Sequence, residues 1–312
     1  MRTMRKLGVA AGLLGLLCII SADGPSLIST SQAATAWNRL QPNRLTSNRL
    51  QANKLLANRL SSQKLSSNRL ALDATGAGDL LATGDGRNVL SYFVSCALPA
   101  DVSLVATVGT CAIDAECTSG PAGPDGTCNA GACTYQFPGG LGLAPTWADK
   151  KLSKTDKGWI SACMLARVNA HDTAEEISLR GEHPALTISP DEALLFSVEE
   201  GAFYGNIFTP ANKPIIAIAC QGKDQASGEF GGLVVRDCAE PDPNNPGFTL
   251  CGFTFAGDCR DFTPAFPSAF ACEEFESLPG HESFYSDCHD RASANGRRGK
   301  EFDQVITTFT AS

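Results

Sequence analysis

The sequence predicts an α+β fold: a single disulfide-braced domain with a small antiparallel sheet and about three helices, preceded by a basic repeat arm. Three observations lead there. Helical patterns dominate the first half of the body and strand patterns the second, without the regular alternation of a doubly wound sheet. Twelve cysteines follow residue 90, an even set suited to pairing. Seven five-residue units run unbroken from Asn38 to Leu72 and stand apart in composition from everything after them.

The first residues read as a secretory leader. Arg2, Arg5 and Lys6 precede an apolar run from Leu7 to Ile20, too short for a comfortable membrane span. Cleavage is expected after Ala33, following Ser31-Gln32-Ala33, with Ala22 as the nearer alternative. Leu16-Leu17-Cys18 is a crude lipobox with Leu17 where a small residue belongs, so an ordinary leader is favoured over lipidation. No later run of 18 apolar residues occurs, so no transmembrane segment is expected in the mature chain. The expected location is secreted or cell surface, with the periplasm as the other oxidising compartment.

Residues 34–72 form the arm. Its units are NRLQP, NRLTS, NRLQA, NKLLA, NRLSS, QKLSS and NRLAL. Arg39, Arg44, Arg49, Lys54, Arg59, Lys64 and Arg69 give it seven positive charges and no acid. A five-residue step advances about 500° on a helix, which scatters the leucines around the axis. In a strand an odd period flips each Leu to the opposite face. A solenoid coil would aim every Leu at one axis. Two readings stand: a short coil, or an arm without regular structure of its own.

The leader holds three bases and Asp23, which leaves 15 bases against 32 acids from Asp73 on, a net charge of −17. A +7 arm therefore precedes a strongly acidic body. The partner expected for the arm is an anionic envelope component such as lipopolysaccharide or acidic polysaccharide. A soluble basic spacer, or an arm folded back on the body, are the plainer readings. Nucleic acid is not expected, because Trp37 lies at the arm's edge and no aromatic inside it offers a stacking platform.

Residues 73–312 form the cysteine-rich domain. Val89, Leu90, Phe93, Val94 and Ala97 make one stripe of a helix over 88–98, with Asp85 as a candidate cap. Residues 110–134 pack four cysteines among Gly, Pro, Asp and Ala. The segment has no core without bridges, so two local disulfides are expected in this insert. Its spacing does not suit zinc, and Asp114, Glu116 and Asp125 do not follow EF-hand spacing. A second helix is predicted over 156–169, with Ile160, Cys163, Met164 and Val168 on one face. A third starts at Pro190 behind Ser189, with Glu192 completing a capping box, and runs to about Glu200. Strands are predicted at 175–181, 203–208, 214–220, 232–238, 248–255 and 302–310.

All of Cys96, Cys111, Cys117, Cys128, Cys133, Cys163, Cys220, Cys238, Cys251, Cys259, Cys272 and Cys288 are expected in disulfides. The connectivity is open. Local bridges such as Cys251–Cys259 and Cys272–Cys288 are expected in the second half.

Four segments carry a resemblance: LSYFVSCALPADV (90–102), LGLAPTWADKKLSKTDKGWISACMLARVNA (141–170), ISLRG (177–181) and EEGAFYGNIF (199–208). Together they resemble a group of secreted, cysteine-rich proteins of unknown function abundant in myxobacteria and related bacteria. The resemblance implies an envelope or extracellular setting and no activity. The arm units look like pentapeptide repeats, whose family builds a four-sided right-handed β-helix. They depart from it by placing Asn or Gln two residues before each Leu, where the family prefers a small residue.

No catalytic residue, metal or cofactor is expected. His171 and Asp172, with Glu175 and Glu176, read as a solvated helix exit rather than an acid–base pair. His183, before Pro184 in a Gly-Glu-His-Pro turn, reads as a surface residue. His281, Asp287, Cys288, His289 and Asp290 concentrate ligand types, but Cys288 is expected in a bridge. Ser61 and Lys64 match S-x-x-K only because both residues recur in the repeat. Phe203 and Tyr204 are expected in the core rather than on a sugar platform with Trp147 or Trp159. The function expected is an exported, non-catalytic envelope or extracellular-matrix protein attached to an anionic surface by its basic arm. The alternative is a secreted hydrolase acting on polysaccharide or peptide, with His171, Asp172 or His281 as its candidates.

Overall fold

The computed structural model describes residues 71–72, 81–119, 124–168, 176–224, 238–260, 270–278, 281–290 and 299–311, without side chains at 71–72, 273–278 and 281–283. The leader, the arm bases Arg39 to Arg69, residues 232–237 of the expected strand over 232–238 and the His171, Asp172 and Glu175 group lie outside these residues.

The fold is mixed α and β, with three α-helices among the described residues: α1 (Gly84–Ala97), α2 (Lys154–Ala166) and α3 (Pro190–Leu195). Each starts on a side-chain cap. Thr83, rather than Asp85, caps α1 by accepting from the Gly86 amide, and Asp85 sits in the first turn. Ser153 and Asp156 form a reciprocal capping box on α2. Ser189 accepts from the Glu192 amide, with Pro190 following it.

One small antiparallel sheet is not what forms. Three sheets are present, and the largest is mixed and has seven strands. A four-stranded sheet orders β1 (Ala71–Leu72), β2 (Ser103–Val108), β4 (Ala132–Pro138) and β3 (Thr127–Asn129) as β1-β2-β4-β3. β1 pairs parallel to β2, so the last two residues of the seventh repeat unit join the edge of the body. The seven-stranded sheet contains β5 (Ile177–Arg180), β6 (Val198–Asn206), β7 (Ile216–Gln221), β8 (Pro241–Asp242), β9 (Asn245–Thr249), β10 (Thr254–Asp258) and β14 (Ile306–Thr310), in the order β5-β14-β6-β7-β10-β9-β8. Its pairings are antiparallel except β7 with β10. A third sheet orders β11 (Cys272–Leu278), β12 (His281–His289) and β13 (Glu301–Phe302).

The expected extension of the third helix to Glu200 is overturned by the sheet. Residues 198–206 are hydrogen-bonded on both edges, to β14 and to β7, and eight of their nine residues are buried. Two ladders and two buried faces outweigh the helical propensity of a few residues. Gly205 fits there because a Cβ would meet the Ile216 carbonyl oxygen at 2.1 Å, and its φ is +147°. The predicted strand over 248–255 divides into β9 and β10 around Leu250 to Phe253.

The main core runs from Leu81 to Ile306 and includes Phe93, Trp147, Ile160, Leu165 and Phe203. Trp147 and Tyr204 are fully buried, as are Phe93 and Phe203. Phe93 packs edge-on against Trp147 at 5.1 Å and against Phe208 at 6.0 Å. A second cluster around Tyr204, Tyr285 and Val305 lies against the β11–β12 hairpin.

Six disulfides use all twelve cysteines. Cys111–Cys128 and Cys117–Cys133 staple the insert, both within 110–134. Cys96–Cys163 ties α1 to α2. Cys272–Cys288 joins residues directly opposite in the hairpin. The expected Cys251–Cys259 pair does not form: Cys238 bonds Cys251, and Cys220 bonds Cys259. The cause is the parallel placement of β10 on β7, which carries Cys259 to the end of β7, where its amide donates to the Gln221 carbonyl.

Candidate functional site

Most of the candidates raised by the sequence that are described resolve into structural roles; Asp287 instead lies with Glu301 and Asp303, their carboxylate oxygens within 4.8 Å of one another. His183 caps a short 3-10 turn, its Nδ1 accepting from the Ala185 amide at 3.1 Å while its ring packs on Trp159. His289 is buried and its carbonyl accepts from the Tyr204 hydroxyl at 2.7 Å. Cys288 is bridged. Asp114 accepts from the Cys128 amide, Glu116 from the Ala112 amide and Asp125 from the Ser119 amide, so all three hold the insert's backbone. Phe203 and Tyr204 lie in the core and offer no platform.

Two other groupings of ionisable side chains emerge. The first is buried. Glu199 on β6 accepts from the Tyr285 hydroxyl and, at 3.0 Å, from the Lys223 amide. The Glu199 amide donates to Asp224 at 2.7 Å. Burial raises the Glu199 carboxyl above its ordinary range, while the Tyr285 and Lys223 hydrogen bonds and the charge of Arg260 oppose the rise. Burial and the neighbouring Glu199 raise the Tyr285 phenol as well. Next to it, the buried Glu200 accepts from the Thr308 hydroxyl at 2.6 Å. These are charges enclosed by donors, the arrangement expected of a structural network.

The second grouping is open. A cleft of about 180 Å³ lies between the first turn of α2, the end of β6 and residues 300–304. Lys154, Lys157 and Lys300 line it, as do Asn206, Asp303 and Gln304. Lys154 and Lys300 are exposed and Lys157 is half-buried. Lys157 lies over the Phe208 ring at 5.7 Å and Lys300 over the Phe302 ring at 4.7 Å. None of the three ammoniums is in an ion pair among the described residues.

Local geometry makes the cleft stiff. Lys154 and Lys157 are one helical turn apart and share a face. The Asn206 carboxamide oxygen accepts from the Phe208 amide at 2.8 Å, which fixes the side chain and leaves its NH₂ as a donor. Gly158 has no Cβ, and Gln304 fills the space, its Oε1 lying 2.3 Å from where a Cβ would stand. Phe208 is held from behind by Phe93.

The cleft was not visible in the sequence. Its lysines are ordinary surface residues in a linear reading, and Lys154, Asn206 and Lys300 come from three distant segments. A faint signal existed: Lys154 and Lys157 follow the Ser153 cap, at the helix end where positive charge is disfavoured.

No helix among the described residues is long and apolar enough to cross a membrane. Searches against known protein families, curated proteins and solved structures return no match to this chain.

Proposed function

We propose that the protein is an exported, non-catalytic component of the cell envelope or extracellular matrix, attached to an anionic surface by its basic arm. The observation that carries this reading is the charge asymmetry: seven bases and no acid over 38–72, against a body of net charge −17. An acidic body is repelled by an anionic surface, so attachment needs a separate cationic element, and the arm supplies one. The six disulfides suit an oxidising compartment outside the cytosol. The leader pattern over residues 1–33 supports the same route, and so does the resemblance to secreted cysteine-rich proteins.

Sedimentation with the producing cell's envelope fraction tests this. The mature chain is expected to co-sediment at low salt and to be released at high salt, because exposed charges are screened. A chain lacking residues 34–72 is expected to stay in the supernatant. Equal sedimentation of both chains would remove the arm from the account.

A further inference from the structure

The lysine-lined cleft lies in the body and is independent of the arm. We propose that it binds one carboxylated sugar unit, a uronate, of an acidic polysaccharide. Four features of the cleft carry the assignment.

The first is charge. The acidic body has seven lysines after Asp73, and three of them line this one cleft. Lys154 and Lys157 sit at the positive end of α2, where they oppose the helix dipole. Asp156 in the same turn is engaged in the capping box with Ser153, and a local rule broken in this way is typical of a functional site. A carboxylate seated there would relieve that repulsion.

The second is size. A cavity of about 150 Å³ lodges a benzene, so 180 Å³ accepts one six-membered ring. The third is the polar lining. A hexuronate needs hydrogen-bond partners for its hydroxyls, and Asn206, Gln304 and Asp303 provide both donors and acceptors. The fourth selects between anions. Asp303 and Glu301 also line the cleft, and their carboxylates repel a compact dianion such as sulfate while accepting from sugar hydroxyls. Phe208 and Phe302, which also line the cleft, supply apolar surface beside the ring.

Calorimetric titration of the full mature chain with sodium glucuronate, glucose and sodium sulfate at matched ionic strength tests the proposal. Glucuronate is expected to bind at least tenfold more tightly than glucose or sulfate. Lys157→Gln together with Lys300→Gln is expected to weaken glucuronate about tenfold or more, the scale of losing hydrogen bonds to a charged group. The seven arm bases are unchanged in that variant, so the loss reports the cleft alone. Gly158→Ala is the second variant: it is compatible with the helix, forces the Gln304 side chain that lines the cleft to move, and is expected to weaken glucuronate with the melting temperature maintained. Unchanged glucuronate affinity in both variants overturns the site. Equal affinity for glucose overturns the role of the lysines, and equal affinity for sulfate overturns the sugar assignment.

Discussion

The Glu199–Tyr285 network and the Lys154–Lys157–Lys300 cleft both gather ionisable groups, and they treat them oppositely. Glu199 is enclosed, with a phenol and a backbone amide aimed at its carboxylate. Lys154 and Lys300 stand open and Lys157 is half-buried, with aromatic rings beneath Lys157 and Lys300 and no ion pair among the described residues for any of the three. Buried charges cost several kcal/mol each unless they are satisfied within the fold. Open charges cost little, and they remain available to something outside it. Enclosure therefore separates charge that serves the fold from charge that serves a ligand.

The largest test concerns the frame of the buried network. Cys220 on β7 is bridged to Cys259, closing 39 residues. Replacing both by Ala is expected to cost about 4 kcal/mol by the loop-entropy relation, read as a fall in the urea midpoint. Replacing Cys238 and Cys251, which close 13 residues, is expected to cost about 3 kcal/mol.

Tyr285→Phe comes next. It removes a donor from a buried carboxylate, and a loss of roughly 1.5–3 kcal/mol is expected. In the same urea series Lys157→Gln is expected to stay within about 0.5 kcal/mol of wild type. Equal losses in the two variants would erase the distinction between the regions.

Glu199 also sets a pH signature. Its folded carboxyl holds its proton more tightly than the unfolded one. The folded state therefore binds more protons, and stability falls as pH rises from the ordinary carboxylate range through the raised value. Glu199→Gln keeps an acceptor for Tyr285 and is expected to flatten that fall. A melting profile over pH 4–8 that matches wild type would contradict the role of burial at this residue.

The smallest effect is expected at Lys154. Lys154→Glu puts an acid at the start of α2 and is expected to stabilise by roughly 0.3–1 kcal/mol. A destabilised variant would mean that this lysine already has a structural role.

Legibility from sequence followed locality. The cap of α3 was readable at Ser189 because a cap is a contact within four residues, whereas the Ser153 cap of α2 lies outside the 156–169 span predicted for that helix. The insert's two bridges were readable because four cysteines crowd a segment with no core of its own. β6 was read partly as helix because Glu199 and Glu200 sit in a central strand buried on both faces, which erases the alternation that marks a half-buried strand. β2 was missed although Leu104, Ala106 and Val108 alternate inward. The Cys220–Cys259 pair and the cleft depend on which distant segments the sheet brings together. No spacing rule reports that.

If the arm is the anchor, it should suffice on its own. Residues 34–72 fused to an unrelated neutral carrier would be passed over immobilised lipopolysaccharide and acidic polysaccharide. Retention of the carrier at low salt and its release as salt rises are expected. Free passage of the fused carrier, with the intact chain retained, would contradict this and place attachment in the body.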